Sequence, residues 1–105
     1  MNIKLSKIAS LLSLDLIGAD TNINNLSIDS REVKKGDFFV AIEGIKFDGH
    51  DYIQESINNG ACAILCNDQF DVSKINVPYI VCQDTLKSLA DLAACLLYTS
   101  PSPRD

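Results

Sequence analysis

Phe38-Phe39-Val40-Ala41-Ile42 is an unbroken apolar run of strand length, and Ala61-Cys62-Ala63-Ile64-Leu65-Cys66 is a second one further along. Between them, residues 51–59 place Ile53 and Ile57 four apart, the spacing of one helix face. Asp48 or His50 stands ahead of that helix as a cap, and Gly60 follows it as a stop. Strand, helix and strand in so short a span make a βαβ unit, and its two strands are therefore expected to run parallel. Residues 38–42 are expected to form the central strand.

The flanks extend the same pattern. Upstream, Lys34-Lys35-Gly36-Asp37 reads as a tight turn with Gly36 free to take a positive φ. Leu26-Ser27-Ile28-Asp29 is a short alternating strand, set off by the turn-formers Asp20-Thr21-Asn22 and Asn24-Asn25. Leu5, Ile8, Leu11 and Leu12 recur at helical spacing. Downstream, residues 67–77 form a polar loop and Pro78-Tyr79-Ile80-Val81-Cys82 another buried-type strand. Asp84 or Thr85 then caps a helix whose inner stripe is Leu86, Leu89, Ala90 and Ala93. No internal repeat is visible. The fold class is α/β: a small three-layer domain with a mixed, mainly parallel sheet.

Composition limits what such a domain does. A chain of 105 residues, 47% apolar, fits one domain with one modest core. No apolar run approaches eighteen residues, so no membrane insertion is expected. The start, Met1-Asn2-Ile3-Lys4-Leu5-Ser6-Lys7, lacks a signal-peptide h-region, which points to the cytoplasm. A net charge of −5 argues against a nucleic-acid partner, whose phosphates need clustered Lys and Arg. One phosphate-bearing ligand is still within reach of a local cation or backbone N–H groups. The four cysteines, Cys62, Cys66, Cys82 and Cys95, read as small buried filler. On a strand Cys62 and Cys66 share a face roughly 13 Å apart, too far to chelate one metal ion. A metal- or redox-active cysteine protein is a third-ranked reading.

The last eleven residues, Cys95-Leu96-Leu97-Tyr98-Thr99-Ser100-Pro101-Ser102-Pro103-Arg104-Asp105, match a translated reading frame of a transposon-end sequencing adapter. Residues 1–94 are therefore expected to be the native domain and residues 95–105 a scar without structural meaning. A genuine Ser/Pro-rich linker is the alternative.

No complete catalytic set is present. There is no Gly-x-x-x-x-Gly-Lys-Ser/Thr phosphate loop, and the only histidine, His50, has no nucleophile at a recognised spacing. His50 reads as a helix cap or a structural hydrogen-bonding residue. Two segments are richer in polar groups than a plain loop requires. In Ile28-Asp29-Ser30-Arg31, just past a strand end, Asp29, Ser30 and Arg31 can each hydrogen-bond a polar ligand. A turn stabilised by an Asp–Arg pair explains them equally well. In Gly44-Ile45-Lys46-Phe47-Asp48-Gly49-His50-Asp51, an apolar residue, a cation and an aromatic could sandwich a base and reach a phosphate. A solvated loop with Phe47 in the core is the competing reading. On residues alone, this is a small-molecule-binding α/β domain.

Residues 29–44, Asp29-Ser30-Arg31-Glu32-Val33-Lys34-Lys35-Gly36-Asp37-Phe38-Phe39-Val40-Ala41-Ile42-Glu43-Gly44, with Asp48-Gly49-His50-Asp51-Tyr52-Ile53, resemble the N-terminal signature of the Mur ligases. Gly60-Ala61 and Asp84-Thr85 fall where that signature expects them, and the likeness covers residues 5–94. The resemblance implies the N-terminal domain of an ATP-dependent, amide-forming ligase of peptidoglycan precursors, active in cell-wall biogenesis. In that family ATP phosphorylates the carboxylate of a UDP-N-acetylmuramoyl peptide, and an amine displaces phosphate from the acyl phosphate. ATP and Mg2+ belong to the central domain and the incoming amino acid to the C-terminal domain, both absent here, so this piece alone is expected to be inactive. The resemblance implies UDP-sugar contacts at Ile28, Ser30, Ile45, Lys46 and Phe47, with Asp29, Arg31, Asp48 and His50 in support. Leu16-Ile17-Gly18-Ala19-Asp20 and residues 84–93 look more like the member that adds D-alanyl-D-alanine to the tripeptide. The member that adds diaminopimelate or lysine to UDP-N-acetylmuramoyl-L-alanyl-D-glutamate is the alternative. A stand-alone, non-catalytic nucleotide-sugar-binding module is the alternative of another class.

Overall fold

A computed structural model of the chain describes residues 2–44 and 48–97. Strand β1 (Ile3–Lys4) runs directly into helix α1 (Leu5–Leu12), followed by β2 (Leu16–Ile17), β3 (Asn22–Ile23) and β4 (Leu26–Ser27). Then come β5 (Phe38–Val40), α2 (Ile53–Asn58), β6 (Ala63–Asn67), β7 (Tyr79–Cys82) and α3 (Thr85–Leu97). Three 3-10 turns, Ser30–Glu32, Gly49–Tyr52 and Val72–Lys74, fill the crossovers between the parallel strands.

The main sheet has the order β2-β7-β6-β5-β4, with β2 antiparallel to β7 and every other pair parallel. β1 and β3 form a separate antiparallel ribbon. The βαβ unit is as expected, with Phe38 opposite Ala63 and Val40 opposite Leu65. The centre of the sheet, however, is β6 and not β5. Both runs are equally apolar, so local sequence signals burial but not rank. Rank is set by β7 and β2 joining beyond β6, with only β4 beyond β5.

Side-chain alternation divides the core into two layers. Phe38, Val40, Ala63, Leu65, Ile80 and Cys82 face α1 and α3, where they meet Leu5, Ile8 and Leu92. Phe39, Ala41, Ile64 and Cys66 face the other way, onto Ile53 of α2, Val33 and Ile75. Phe38 and Phe39 are both fully buried, each contributing about 1.5–3 kcal/mol by burial. The result is helix, sheet and helix: three layers.

Capping sets the outer helices. α1 has no cap of its own, and the Asp20 carboxylate instead accepts the Ser6 backbone N–H at 2.9 Å and its hydroxyl at 2.8 Å. Asp84 Oδ1 accepts the Lys87 N–H at 3.1 Å at the start of α3. The inner stripe of α3 differs from the expected one. Leu92 is fully buried and Leu89 half-buried, whereas Leu86 is 59% exposed and Ala90 is exposed. Apolar residues lie on both sides of this helix, so periodicity alone selected a stripe rotated by about one position.

The cysteines also depart from strict alternation. Cys62 packs with the α1/α3 layer and Cys66 with the α2 layer, because Cys62 precedes the first residue of β6. All four thiols are free. Burial pushes the Cys66 thiol up to about 12 and raises Cys62 and Cys82 too, which suits filler rather than nucleophiles. No described helix is long and apolar enough to cross a membrane.

Candidate functional site

The parallel strands end together, and both polar segments lie just past those ends. After β4 the chain enters the Ser30–Glu32 turn, whose N-terminal cap is Asp29. Asp29 Oδ1 accepts the Arg31 backbone N–H at 2.9 Å, and its two oxygens take Arg31 Nε at 3.1 Å and Nη2 at 3.0 Å. The Arg31 fork, with its backbone N–H, holds the Asp29 carboxyl below its ordinary value. The Asp–Arg turn expected for this segment is thus present. Arg31 stays 82% exposed, so the pair itself adds little stability.

Ser30 behaves differently: it is only 6% exposed. Its hydroxyl donates to Glu55 Oε2 at 2.9 Å, and its carbonyl accepts from Asn59 Nδ2 at 2.8 Å. α2 therefore grips the turn from two positions four apart, which share one helix face. Between the turn and α2 lies a cavity of about 450 Å³. Ile28, Asp29, Ser30 and Arg31 line one side, and Gly49, Tyr52 and Glu55 the other, with Phe39 at the floor.

In the second segment, Asp48, Gly49 and His50 are tied to neighbouring elements. Gly49 N–H donates to the Ile42 carbonyl at 2.7 Å, and a Cβ at Gly49 would lie 2.7 Å from the Ile42 nitrogen. Only glycine allows that approach. Asp48 Oδ1 accepts the His50 backbone N–H at 2.9 Å and sits 2.6 Å from Nδ1. His50 Nε2 accepts the Asn67 N–H at 3.0 Å, which puts the ring proton on Nδ1. Burial raises the Asp48 carboxyl, but the two hydrogen bonds from His50 outweigh it and the net shift is downward. With both ring nitrogens engaged and its ring 5.5 Å from Phe70, His50 ties the loop to the end of β6.

The structure thus brings Ile28, Asp29, Ser30 and Arg31 together around one cavity. Asp48 and His50 do not line that cavity; His50 lines a separate, smaller one of about 270 Å³. Ile45, Lys46 and Phe47 lie outside the described residues. Sequence reasoning missed Tyr52 and Glu55. Their signal was available: spaced three apart, they mark a face of the helical segment other than that of Ile53 and Ile57.

The model of the Mur ligase family, described for its catalytic domain, matches residues 22–95. The chain belongs to the Mur ligase family. Within it, the chain is 38% identical over 101 residues to UDP-N-acetylmuramoyl-L-alanyl-D-glutamate–2,6-diaminopimelate ligase 2 of Clostridium acetobutylicum, covering 94% of this chain and 21% of that one. It is 30% identical over 102 residues to the UDP-N-acetylmuramoyl-tripeptide–D-alanyl-D-alanine ligase of Escherichia coli, covering 97% and 22%. Among solved Mur ligases, MurF from Acinetobacter baumannii shares the fold at a TM-score of 0.79 and 22% identity, over 90% of this chain and 21% of that one. MurF from Thermotoga maritima, solved with ADP, is 37% identical at a TM-score of 0.56, over 67% of this chain and 16% of that one. The chain spans about a fifth of the length of the curated Mur ligases it matches.

Proposed function

We propose that this chain holds the UDP end of a UDP-N-acetylmuramoyl peptide in a cytoplasmic ligase that adds D-alanyl-D-alanine during peptidoglycan synthesis. The observation that carries the reading is the cavity shared by Ile28 and Ser30, the two described residues at which the family resemblance implies UDP-sugar contacts. That cavity lies past the strand ends, where α/β folds bind ligands. The 37% identity to the Thermotoga MurF supports the dipeptide-adding member. The diaminopimelate-adding member is the second reading, favoured by the 38% identity to the Clostridium relative.

This chain has no phosphate loop, and no group of three His, Cys, Asp or Glu suited to a metal ion occurs among the described residues. ATP and Mg2+ are assigned to the central domain of the whole enzyme, and the incoming amine to its C-terminal domain. The residues here bind and orient. In this reading residues 1–94 are native and residues 95–105 foreign.

The test has two stages. Sequencing the source gene across codon 94 is expected to reveal a frame that continues into a phosphate loop; a native stop after Asp105 would favour the stand-alone binding module. The full-length protein is then given ATP with UDP-N-acetylmuramoyl-tripeptide and D-alanyl-D-alanine, or with UDP-N-acetylmuramoyl-L-alanyl-D-glutamate and diaminopimelate or lysine. Phosphate release and product mass identify the pair that is joined. Turnover of the second pair alone would replace the first reading by the second.

A further inference from the structure

We infer that Asn59-Gly60, at the C-terminal end of α2, is a latent deamidation site guarded by the fold, so that opening of this helix end converts Asn59 one way into aspartate or isoaspartate. It is the only Asn-Gly pair in the sequence. Glycine has no Cβ to shield its amide nitrogen, which leaves that nitrogen free to reach the preceding side chain. In the reaction the Gly60 nitrogen gives up its proton and bonds to Cγ of Asn59, and the side-chain nitrogen departs as ammonia. Water then opens the resulting succinimide at either carbonyl. One opening gives aspartate; the other gives isoaspartate, with the main chain rerouted through the side chain. Asn59 is exposed, so solvent supplies that water. The pair is also fixed by the fold. Gly60 has a φ of +119°, and a Cβ there would lie 2.7 Å from the Lys35 Cα, so no other residue fits beside Asn59.

Folded, the reacting groups are held apart. Asn59 has a ψ of −5°, so the Gly60 nitrogen nearly eclipses that of Asn59 and lies away from its side chain. The Gly60 N–H donates to the Ile57 carbonyl at 3.1 Å, and Asn59 Nδ2 donates to the Ser30 carbonyl at 2.8 Å. Ring closure must break both bonds and rotate ψ, which requires the end of α2 to open. Once the amide is gone the grip cannot reform. A carboxylate has no proton to give the Ser30 carbonyl. It also stands four residues from Glu55 and adds negative charge at the negative end of the helix.

The test holds the full-length protein at one mildly alkaline pH, in buffer and in denaturing urea, and follows acid and isoaspartate formation at each asparagine by peptide mapping. Asn59 is expected to react before the other asparagines in urea, and at least about tenfold faster there than in buffer, because folded chains must first break several hydrogen bonds. Asn59→Asp, which makes one product directly, is expected to speed amide hydrogen exchange across residues 53–61 by about tenfold. The rate comparison uses the unaltered chain and does not depend on that variant folding. Equal rates in buffer and urea, an Asn59 that stays intact in urea, or wild-type exchange in Asn59→Asp would each overturn the inference.

Discussion

Asp29-Ser30-Arg31 and Asp48-Gly49-His50 are the same backbone device used for opposite ends. Each begins with an aspartate that caps a 3-10 turn by accepting the N–H two residues on, at 2.9 Å in both. Each then pairs that carboxylate with the side chain of its third residue. The difference is burial: the Arg31 side chain is 82% exposed and that of His50 5%. The buried middle residue differs as well, a serine that faces a cavity against a glycine pressed onto Ile42. One turn points a serine hydroxyl toward Glu55 at the cavity; the other is tied to Ile42 and Asn67. A short cap motif therefore carries no function until burial has sorted its side chains.

That contrast can be broken most decisively at His50. His50→Ala removes a buried ring, orphans the Asn67 N–H and leaves Asp48 without its side-chain donor, so about 2–4 kcal/mol of stability should be lost. A urea denaturation midpoint reads the loss, and a midpoint within error of wild type would show that His50 is no strut. Gly49→Ala comes next. Its new Cβ meets main-chain atoms rather than a flexible side chain, and overpacking of that kind costs about 1–3 kcal/mol.

Acid provides a third, smaller lever. Asp29 and Asp48 both titrate below their ordinary value when folded, as do Asp20 and Asp71, through hydrogen bonds that each accepts. Folded-state carboxyls with depressed values contribute stability that is complete above the unfolded value of about 4 and disappears as pH falls through the folded one. Urea midpoints should therefore fall below about pH 4, with Asp29→Asn and Asp48→Asn each removing part of that sensitivity. Equal parts would mean that the cap, rather than the third residue, sets it. The smallest effect is at Arg31: Arg31→Ala should leave the thermal midpoint unchanged, because its partner is shared with water. A large drop there would erase the distinction between the two turns.

Much of this architecture was legible from residue order, for identifiable reasons. Phe38 to Val40 and Ala63 to Cys66 announce themselves because a strand buried on both faces is apolar at every position. Gly36 was readable because its turn needs a positive φ, and it adopts 88°. The rank of β5 was not readable, since neighbours in a parallel sheet are chosen by long-range pairing. The inner stripe of α3 was ambiguous because Leu86, Leu89 and Leu92 offer overlapping apolar faces, and only docking against the sheet selects Leu92. In the site, Ile28 to Arg31 stood out as a polar cluster after a strand. Glu55 did not, because nothing in its neighbourhood shows that it will reach Ser30, 25 positions earlier.

The two flanking strands of the main sheet, β2 and β4, are each two residues long. An open flank is a row of unpaired amides and carbonyls on which another chain can template itself, and the hazard grows with the length of that row. Here the longer strands, β6 and β7, are paired on both sides, and the exposed rows are too short to register a partner. An apolar sheet of this kind would otherwise invite edge-to-edge aggregation; by ending in stubs it keeps its sticky interior strands out of reach while the chain remains folded.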